Sequence, residues 1–393
     1  MFEIEEVKGQ KARIRVVGVG GAGGNAVNNM IASNMHGVEF IAVNSDLQIL
    51  ETSLAPSKVQ VGAELTRGLG AGSNPDIGRQ AAIESRTAIM ESLDGCDMAF
   101  ITAGMGGGTG TGAAPVIAGI ARDMGILTVA IVTKPFFYEG KKRILNAEEG
   151  IKELSKYVDT IIIIPNDKIT LVVEKGTPLL KSFSIANDVL RQAVQGISDI
   201  ILVPGLINVD FADVKTIMEN MGRAVMGSGV GKGEGGAFEA AKKAISNPLI
   251  EDSSIEGAKG ILVNITGGIE LSLNEVQEAT SLIYDAAHEE VNVIFGAVID
   301  PDANDEVRVT VIATGFEPRK EKVELPQIKK WAPVKTPVRE FVKEPVSFKG
   351  SDRFLSKSLE SRLEPKPRTN EVFNYEDAID IPAFLRRSPQ KEI

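Results

Sequence analysis

Two glycine-rich segments contain the residue types best suited to binding chemistry. The first, from Gly18 to Asn25, follows an apolar run and opens a predicted helix. Glycine lets backbone amides come close to a phosphate, and the positive end of the helix dipole favours the anion. The spacing of Gly18, Gly20 and Gly23 also satisfies the dinucleotide fingerprint. This segment alone therefore leaves three interpretations open: a dehydrogenase, another nucleotide-binding protein, and glycines that serve only the packing of helix on strand.

The second segment, 104–112, reads Gly-Met-Gly-Gly-Gly-Thr-Gly-Thr-Gly and also lies between an apolar run and a predicted helix. Its threonines, Thr109 and Thr111, add hydroxyls that can contact phosphate oxygens or a metal-bound water. A dehydrogenase has no need for this second segment, whereas two loops from neighbouring strands could hold a di- or triphosphate between them. No lysine follows either segment in the Walker arrangement, so backbone amides and a cation such as Mg²⁺ would balance the charge.

A pair of aspartates, Asp210 and Asp213, lies in the segment 204–214. By local physics Asp210 is a helix N-cap, and Asp213 is an acid of the first helical turn that the helix dipole favours. The residues alone favour these structural roles over catalysis. An N-cap nevertheless stands at an exposed helix start, from which it can also contact a neighbouring molecule.

Short apolar runs and helical stretches alternate over residues 13–165 and would position the glycine segments. The runs that we predict to be strands are 14–19, 40–43, 98–103, 127–133 and 160–164. They are continuously apolar, which indicates burial on both faces, and their alternation with helices predicts an α/β fold with a doubly wound parallel sheet. Asn74 before Pro75 predicts a helix start, and Gly125 predicts the end of the helix that begins near Thr111.

A longer helical pattern at 180–197 predicts a helix that connects this domain to a second one. The strands predicted beyond it are 261–265, 291–298 and 307–313. Ser272 followed by Glu275 is a capping box that starts a further helix. In the last strand, valines alternate with polar residues, which predicts a small sheet with one solvent-exposed face and helices on the other. We therefore expect an α+β second domain.

Composition argues against several function classes. The 393 residues include 43 basic and 53 acidic ones, a net charge of −10, so we expect no broad basic surface and no nucleic-acid partner. The single cysteine, Cys96, permits no intrachain disulfide, and we interpret it as a small core residue. Two histidines far apart leave no Cys/His zinc site. The acidic start and the lack of an apolar run near ~20 residues predict a cytoplasmic chain without a membrane-spanning segment.

The composition changes beyond residue 318. Residues 319–370 contain 14 basic and seven acidic residues, a charge of +7, and their proline-spaced, low-complexity sequence predicts a disordered linker. The peptide 374–387 follows, with an apolar and charged cluster. Its apolar residues, such as Phe384 and Leu385, could anchor in a partner's groove while Arg386 pairs with acidic groups. The alternative is a nonspecific sticky end.

Residues 106–112, Gly-Gly-Gly-Thr-Gly-Thr-Gly, match the signature of the tubulin/FtsZ family without a departure. The resemblance extends over about residues 12–316 and is to the FtsZ branch, bacterial cell-division GTPases that polymerise into the cytokinetic ring. It implies a Rossmann-like α/β GTPase domain, a central helix and a smaller α+β C-terminal domain. The divisions that follow are an N-terminal extension (1–11), the GTPase domain (12–178), the central helix (179–203), the C-terminal domain (204–316), a disordered linker (317–370) and a partner-binding peptide (371–393).

The resemblance also implies a site for GTP or GDP with Mg²⁺. The expected phosphate contacts are Gly21, Ala22, Gly23, Gly24, Asn25, Gly72, Gly106, Gly107, Gly108, Thr109 and Gly110. Asn44 and Asp46 are expected near the phosphates and the metal. Glu139, Arg143 and Asn166 are expected around the ribose.

On the central helix, the resemblance implies that Phe183 stacks on the base while Asn187 and Asp188 contact its edge. An aspartate that accepts protons from N1 and the 2-amino group selects guanine, because adenine has an acceptor at N1 and no 2-amino group. From the residues alone, the better interpretation is that Asn187 and Asp188 form the polar face of a helix.

The segment 204–214 resembles the family's synergy loop, which enters the nucleotide pocket of the next subunit. In that setting Asp210 and Asp213 would orient and polarise the attacking water, and Asn208 would help to place the γ-phosphate region. Hydrolysis would then require head-to-tail assembly into filaments, with GDP weakening the contact. Two alternatives remain: a dinucleotide-dependent oxidoreductase, and an assembling homologue that hydrolyses GTP poorly, against which the intact acids argue.

The same resemblance implies partners for the peptide 374–387, namely membrane-tethering and division-regulating proteins. Many such tails along a filament would add weak contacts into firm attachment. The expected location is the division ring at midcell, on the inner face of the membrane, reached through these partners.

Overall fold

The glycine segments lie at the ends of neighbouring strands of one large sheet. The computed structural model describes residues 12–316 apart from 172–175, 204, 208, 248–254, 256 and 288–290. Within that part of the chain, ten strands form the sheet, in the order β3-β2-β1-β4-β5-β6-β7-β10-β8-β9. These strands are β1 (Ile14–Val19), β2 (Glu39–Asn44), β3 (Ser57–Gln60), β4 (Met98–Gly104), β5 (Leu127–Lys134), β6 (Thr160–Pro165), β7 (Gly222–Lys232), β8 (Gly260–Gly267), β9 (Asn292–Ile299) and β10 (Glu306–Thr314).

The strands from β1 to β7 pair in parallel, and β10 is antiparallel to both of its neighbours. Strand β1 lies between β2 and β4, so the strand order reverses there. In open α/β sheets such a switch point is where ligands bind, beyond the carboxyl ends of the strands. The first glycine segment follows β1 and the second follows β4, so both lie at this position.

Helices cover both faces of the sheet. They are α1 (Gly20–Ala32), α2 (Leu47–Glu51), α3 (Ala63–Thr66), α4 (Pro75–Glu84), α5 (Arg86–Leu93), α6 (Thr109–Asp123), α7 (Lys141–Leu154), α8 (Asn166–Ile169), α9 (Leu179–Leu202), α10 (Phe211–Met218), α11 (Gly236–Ile245) and α12 (Leu273–Ala286). Val16 and Val17 are adjacent in β1 and both buried, but they belong to different core clusters, with α1 and α9 on one face and α4 to α7 on the other. The predicted parallel sheet with two covered faces is confirmed.

The local helix signals are confirmed as well. The Asn74 side chain accepts a hydrogen bond from the Asp76 amide at 3.0 Å, with Pro75 in the first helical turn. Ser272 and Glu275 form the reciprocal capping box of α12. These signals act within one helical turn, so they hold whatever packs around them. Cys96 is buried and its Sγ donates to the Met98 carbonyl at 2.9 Å, and this burial raises the pKa of the thiol to about 11.

Strand β7, which the apolar pattern did not predict, joins the two halves of the sheet. It pairs with β6 on one side and β10 on the other. Alternate glycines interrupt its hydrophobic pattern, and they are needed for packing. A Cβ on Gly229 would lie 2.1 Å from the Ala240 carbonyl oxygen, and one on Gly231 would lie 2.0 Å from that of Gly236. The missing side chains let α11 lie directly on the sheet.

The prediction of a small sheet with one solvent-exposed face is wrong. The valines of β10 do face a helical layer, in a core cluster with α11 and α12. On the other face, however, Thr310 is only 4% exposed. It packs so closely on α9 that a Cβ on Gly196 would lie 2.8 Å from its Cγ2 atom. A threonine fits this buried face because the glycine opposite leaves room for it.

Helix α9 runs across the sheet from the carboxyl end of β5 to the amino end of β2. At its start, Phe183 packs edge to face on Phe136, which follows β5, with ring centroids 5.5 Å apart. At its end, Leu202 packs on Gly37, which precedes β2. Its 24 residues give a length of about 36 Å. No helix in the described part of the chain is long and apolar enough to cross a membrane.

The predicted N-terminal extension, linker and C-terminal peptide lie outside the described residues, as does Asn208.

Candidate functional site

The two glycine segments touch each other at the switch point of the sheet. Gly20 has a φ of +71°, and a Cβ there would lie 2.8 Å from the Gly110 amide nitrogen. A Cβ on Gly18 would lie 2.5 Å from the Gly23 carbonyl oxygen, and one on Gly23 would lie 2.4 Å from that of Thr102. The interpretation of tight packing therefore holds for these glycines, which bring the loops together.

Other glycines of the predicted site face space that the described protein does not fill. A Cβ on Gly24, Gly72 or Gly107 would meet no described atom within 4 Å, and one on Gly21 would meet only the tip of Ile49, at 3.9 Å. At these positions a ligand can approach the backbone without a side chain in its way. Gly24 lies one turn into α1, and Gly107 lies just before α6. The open space is therefore next to two helix N-termini.

The threonines of the second segment have different surroundings. Thr111 is buried, and its Oγ1 accepts a hydrogen bond from the Gly106 amide at 2.8 Å. Its methyl group packs beneath Gly150 of α7, 2.4 Å from where a Cβ would lie. The expectation that both hydroxyls face a phosphate or a metal-bound water is therefore wrong for Thr111, which shapes the loop from behind. Thr109 is half-buried at the start of α6, and its Oγ1 atom lies 2.6 Å from the Ser45 Oγ atom.

A third loop, which contains Ala71 and Gly72, packs against the second segment. A Cβ on Gly108 would lie 2.8 Å from the Ala71 Cβ, next to Gly72. Asn44 is buried, and its Oδ1 accepts from the Asp46 amide at 3.2 Å. The Asp46 carboxylate caps α2 by accepting from the Gln48 amide at 3.0 Å. These residues lie around the same space, and the Asp46 side chain is already held by the backbone.

Glu139 and Arg143 form an ion pair beside the second segment. The Glu139 carboxylate also accepts from the Phe136 amide at 2.9 Å. The Arg143 carbonyl oxygen lies 2.7 Å from where a Cβ on Gly106 would be. The segment that carries this pair thus packs against Gly106, next to the open position at Gly107.

Asn166 begins α8 directly after β6 and is only 7% exposed. Its Oδ1 atom is buried and has no hydrogen-bond partner among the described residues. An unpaired buried acceptor costs about 1–3 kcal/mol, so most buried acceptors in native proteins have a hydrogen-bond partner. A ligand that donates a hydrogen bond fits this position.

The residues on α9 lie at the same end of the molecule. Phe183 is 40% exposed, and Asn187, four residues on, lies on the same helix face. The Asp188 carboxylate accepts from the Arg191 Nε and the Gln192 Nε2 atoms, both at 2.7 Å. The interpretation of Asp188 as part of a polar helix face is therefore consistent with the structure, while its contact with a base remains a prediction.

Asp210 and Asp213 do not join this group within one chain. Asp210 caps α10, with its Oδ1 accepting from the Asp213 amide at 2.8 Å, as the local pattern predicts, and both residues are exposed. They follow the far end of α9, where Leu202 packs on Gly37 at the amino-terminal edge of the sheet. The open glycines lie beyond the carboxyl ends of β1 and β4, on the side of the molecule where α9 begins.

Comparison with known proteins identifies the chain. The family model for the Tubulin/FtsZ family, GTPase domain, matches residues 13–174, and the model for the FtsZ family, C-terminal domain, matches residues 222–317. An empty FtsZ dimer from M. jannaschii is 44% identical, with a TM-score of 0.75, over 78% of this chain and 89% of that one. The chain belongs to the tubulin/FtsZ family. It is a GTPase, and the oxidoreductase alternative is set aside.

Two solved structures of lower sequence identity share the fold. CetZ2 from Haloferax volcanii, solved as a GTPγS-bound protofilament, is 22% identical, with a TM-score of 0.67, over 79% of this chain and 95% of that one. CetZ1 from Haloferax volcanii, a GDP-bound monomer, is 21% identical, with a TM-score of 0.68, over 78% of this chain and 94% of that one. The predicted α/β GTPase domain with a C-terminal domain is confirmed.

Proposed function

We propose that this GTPase polymerises head to tail and hydrolyses GTP at the junction between successive copies. The observation that carries this proposal is the separation of the two half-sites by α9. The open glycines lie beyond one edge of the sheet, and Asp210 and Asp213 lie at the other end of the helix. Half-sites that lie toward opposite ends of a helix of about 36 Å can meet when a second copy supplies one of them.

The nucleotide occupies the space between the glycine segments. Its phosphates lie against Gly21 to Asn25 and Gly107 to Gly110, and they accept from the free backbone amides at the N-termini of α1 and α6, which favour an anion. Asn166 and the Glu139–Arg143 pair lie at the ribose, and Phe183 stacks on the base. The open positions at Gly24, Gly72 and Gly107 and the unpaired Asn166 Oδ1 support this assignment.

Magnesium fits this site as an ion that binds mainly to the phosphates of the nucleotide. The described residues contain no group of three or more His, Cys, Asp or Glu side chains that could hold a metal by themselves. Mg²⁺ at nucleotide sites is typically bound by phosphates, waters and one or two protein oxygens, a role that the family resemblance gives to Asn44 and Asp46. When bound, it neutralises charge that develops on the phosphates.

Asp210 and Asp213 of the next copy complete the active site. Their carboxylates orient a water and polarise it for attack on the γ-phosphorus, after which the bond to the β–γ bridging oxygen breaks and GDP and phosphate form. Positioning and charge stabilisation account for most catalysis of phosphoryl transfer. The exposed position of both acids at the start of α10 supports this role.

Exposed apolar side chains lie at both ends that would meet in a filament. Leu69 is 83% exposed and Phe137 73% exposed, each next to the proposed nucleotide site. Leu206, 73% exposed, borders β9 in the segment before Asp210, and Leu273, 78% exposed, begins α12. Solvent-exposed leucines and aromatics of this size commonly mark interaction surfaces. Self-association of the FtsZ relative, solved as a dimer, supports the same conclusion.

The filament would form the cytokinetic ring at midcell, with GTP hydrolysis driving its turnover. The peptide 374–387 would attach it to membrane-tethering and division-regulating proteins. This part of the proposal rests on the family and on the sequence of the peptide, which lies outside the described residues. A homologue that assembles but hydrolyses GTP weakly is the second candidate, and Asp210 and Asp213 argue against it.

Complementation between two inactive variants tests the shared site. Asp213→Ala removes a catalytic acid and leaves the pocket, while Gly107→Val fills the open space at the phosphates, where a Cβ meets no described atom within 4 Å. Each variant alone should release little phosphate from GTP, and an equimolar mixture should regain activity, because about a quarter of random junctions pair an intact pocket with an intact acid. Gly119→Ala, on the same helix as the second loop but in ordinary contact with Tyr157, is the matched control.

Phosphate release from the wild-type chain, followed with light scattering, complements this test. A specific activity that rises with protein concentration together with scattering is expected. A constant specific activity without scattering would contradict the shared site, because each chain would then act alone.

A further inference from the structure

Ser45 connects three loops of the proposed phosphate site. It lies between Asn44 and Asp46, is 0% exposed, and its Oγ is 2.6 Å from the Thr109 Oγ1 atom at the start of α6. Its carbonyl oxygen accepts from the Thr66 hydroxyl at 3.1 Å and from the Gly70 amide at 3.2 Å. Nothing in the sequence pattern singles out this residue.

The surroundings of the two hydroxyls decide which one donates. Among the described residues, the hydrogen-bond partner of the Ser45 hydroxyl is the Thr109 Oγ1 atom. If Thr109 donated, the Ser45 proton would be fully buried without an acceptor, which proteins avoid. Thr109 is half-buried and lies two residues after Gly107, whose Cβ position is open, so its own proton can find a partner outside the described protein. The Ser45 hydroxyl therefore donates and Thr109 accepts.

We propose that Ser45 is a positioning residue that directs the Thr109 hydroxyl proton toward a phosphate oxygen of the bound nucleotide. A hydroxyl that accepts one hydrogen bond becomes a stronger donor, and its rotation is restricted. The Thr109 proton then points away from Ser45, into the space that the amides before α6 also face. This inference rests on the proposed phosphate site, and it adds a directed donor that the backbone alone does not provide.

Binding of GDP and of guanosine to the full-length chain separates positioning from a purely structural role. Ser45→Ala should weaken GDP binding by about 3- to 10-fold, the effect of one neutral hydrogen bond. Guanosine has no phosphate, so its Kd should stay within about twofold of wild type. Ser45→Thr keeps the hydroxyl and should restore most of the GDP affinity. A loss of equal size for GDP and guanosine would overturn the proposal, because the hydroxyl would then serve only the fold.

Thr109→Val distinguishes failure of this inference from failure of the phosphate site. It should weaken GDP binding by about tenfold or more, the effect of a hydrogen bond to a charged group. The double variant Ser45→Ala/Thr109→Val should bind GDP no more weakly than Thr109→Val alone, because the two hydroxyls act as one unit. If Thr109→Val weakens binding but Ser45→Ala does not, the positioning role is wrong and the site stands. If neither does, both proposals are wrong.

Discussion

Asp210 accepts the amide proton of Asp213 at 2.8 Å, so the first of the two acids holds the start of the helix that carries the second. This contact gives Asp210 two roles that substitution can separate. Its cap stabilises α10, and its charge belongs to the proposed active site. Asp213 makes no cap, and its proposed role is chemical.

Asp213→Ala should lower GTP turnover by about 100-fold or more while leaving stability and GTP affinity nearly unchanged. Asp210→Ala should lower both turnover and stability, the latter by about 1 kcal/mol through the lost cap. Asp210→Asn keeps a capping oxygen and removes the charge, so it should retain stability and still lose turnover. Phosphate release and urea unfolding measure the two effects. Normal turnover in Asp210→Asn would remove its charge from the mechanism.

Substitution of two glycines should separate folding from ligand binding. Gly20→Ala places a Cβ 2.8 Å from the Gly110 nitrogen at a φ of +71°, so it should lower the free energy of unfolding by about 1–3 kcal/mol. Gly107→Ala places its Cβ in open space, so it should leave stability within about 0.5 kcal/mol and weaken GDP binding. Denaturant unfolding and nucleotide titration give both quantities. Equal destabilisation by the two variants would contradict the assignment of open space at Gly107.

The unpaired Asn166 oxygen predicts an uncommon pattern for a buried residue. Asn166→Ala removes an acceptor that has no partner among the described residues. Stability without nucleotide should therefore hardly fall, whereas nucleotide affinity should weaken by about 5- to 10-fold. Asn264 provides a matched control, because its Oδ1 is also buried and unpaired but it lies under α9, with Nδ2 donating to Gly196. Asn264→Ala should leave nucleotide affinity unchanged.

Asp199 predicts a pH dependence of stability. It lies on α9 in a cavity of about 320 Å³ that Arg308 also lines. Burial raises its pKa from 3.8 to about 6, although a hydrogen bond from Gln195 opposes the shift. An acid with a higher pKa in the folded state binds its proton more tightly there, so its contribution to stability falls as the pH rises from about 4 to 6. The contribution then stays low at neutral pH.

Asp199→Asn should therefore stabilise the protein at pH 8 by up to about 3 kcal/mol, since it removes a charge that is costly to bury. At pH 4 the two proteins should differ little. Urea unfolding at both pH values measures the change, with Asp123→Asn as a control, because that side chain is 66% exposed. Equal stability of Asp199→Asn and wild type at pH 8 would contradict the shift.

Local sequence determined the elements and their ends. The strand that begins at Ile14 and the caps at Asn74, Ser272 and Asp210 were predictable from the sequence. Burial on both faces of a parallel strand requires an apolar run, and a cap needs only one side chain and one helical turn. The glycine signature indicated the family and the position of the phosphate loops for the same reason, since it is a short, contiguous pattern.

Tertiary structure decided which residues serve packing and which face the ligand. Gly18 and Gly107 look alike in sequence. The backbone of Gly23 occupies the space where a Gly18 side chain would lie, whereas Gly107 faces open space. Thr111 packs beneath Gly150 while Thr109 meets Ser45, because chain segments far apart in sequence approach them. Strand β7 and the covered second face of the sheet depend likewise on helices that pack there. A contact between distant residues leaves no local pattern, so only the folded chain separates the packing glycines from those that face the ligand.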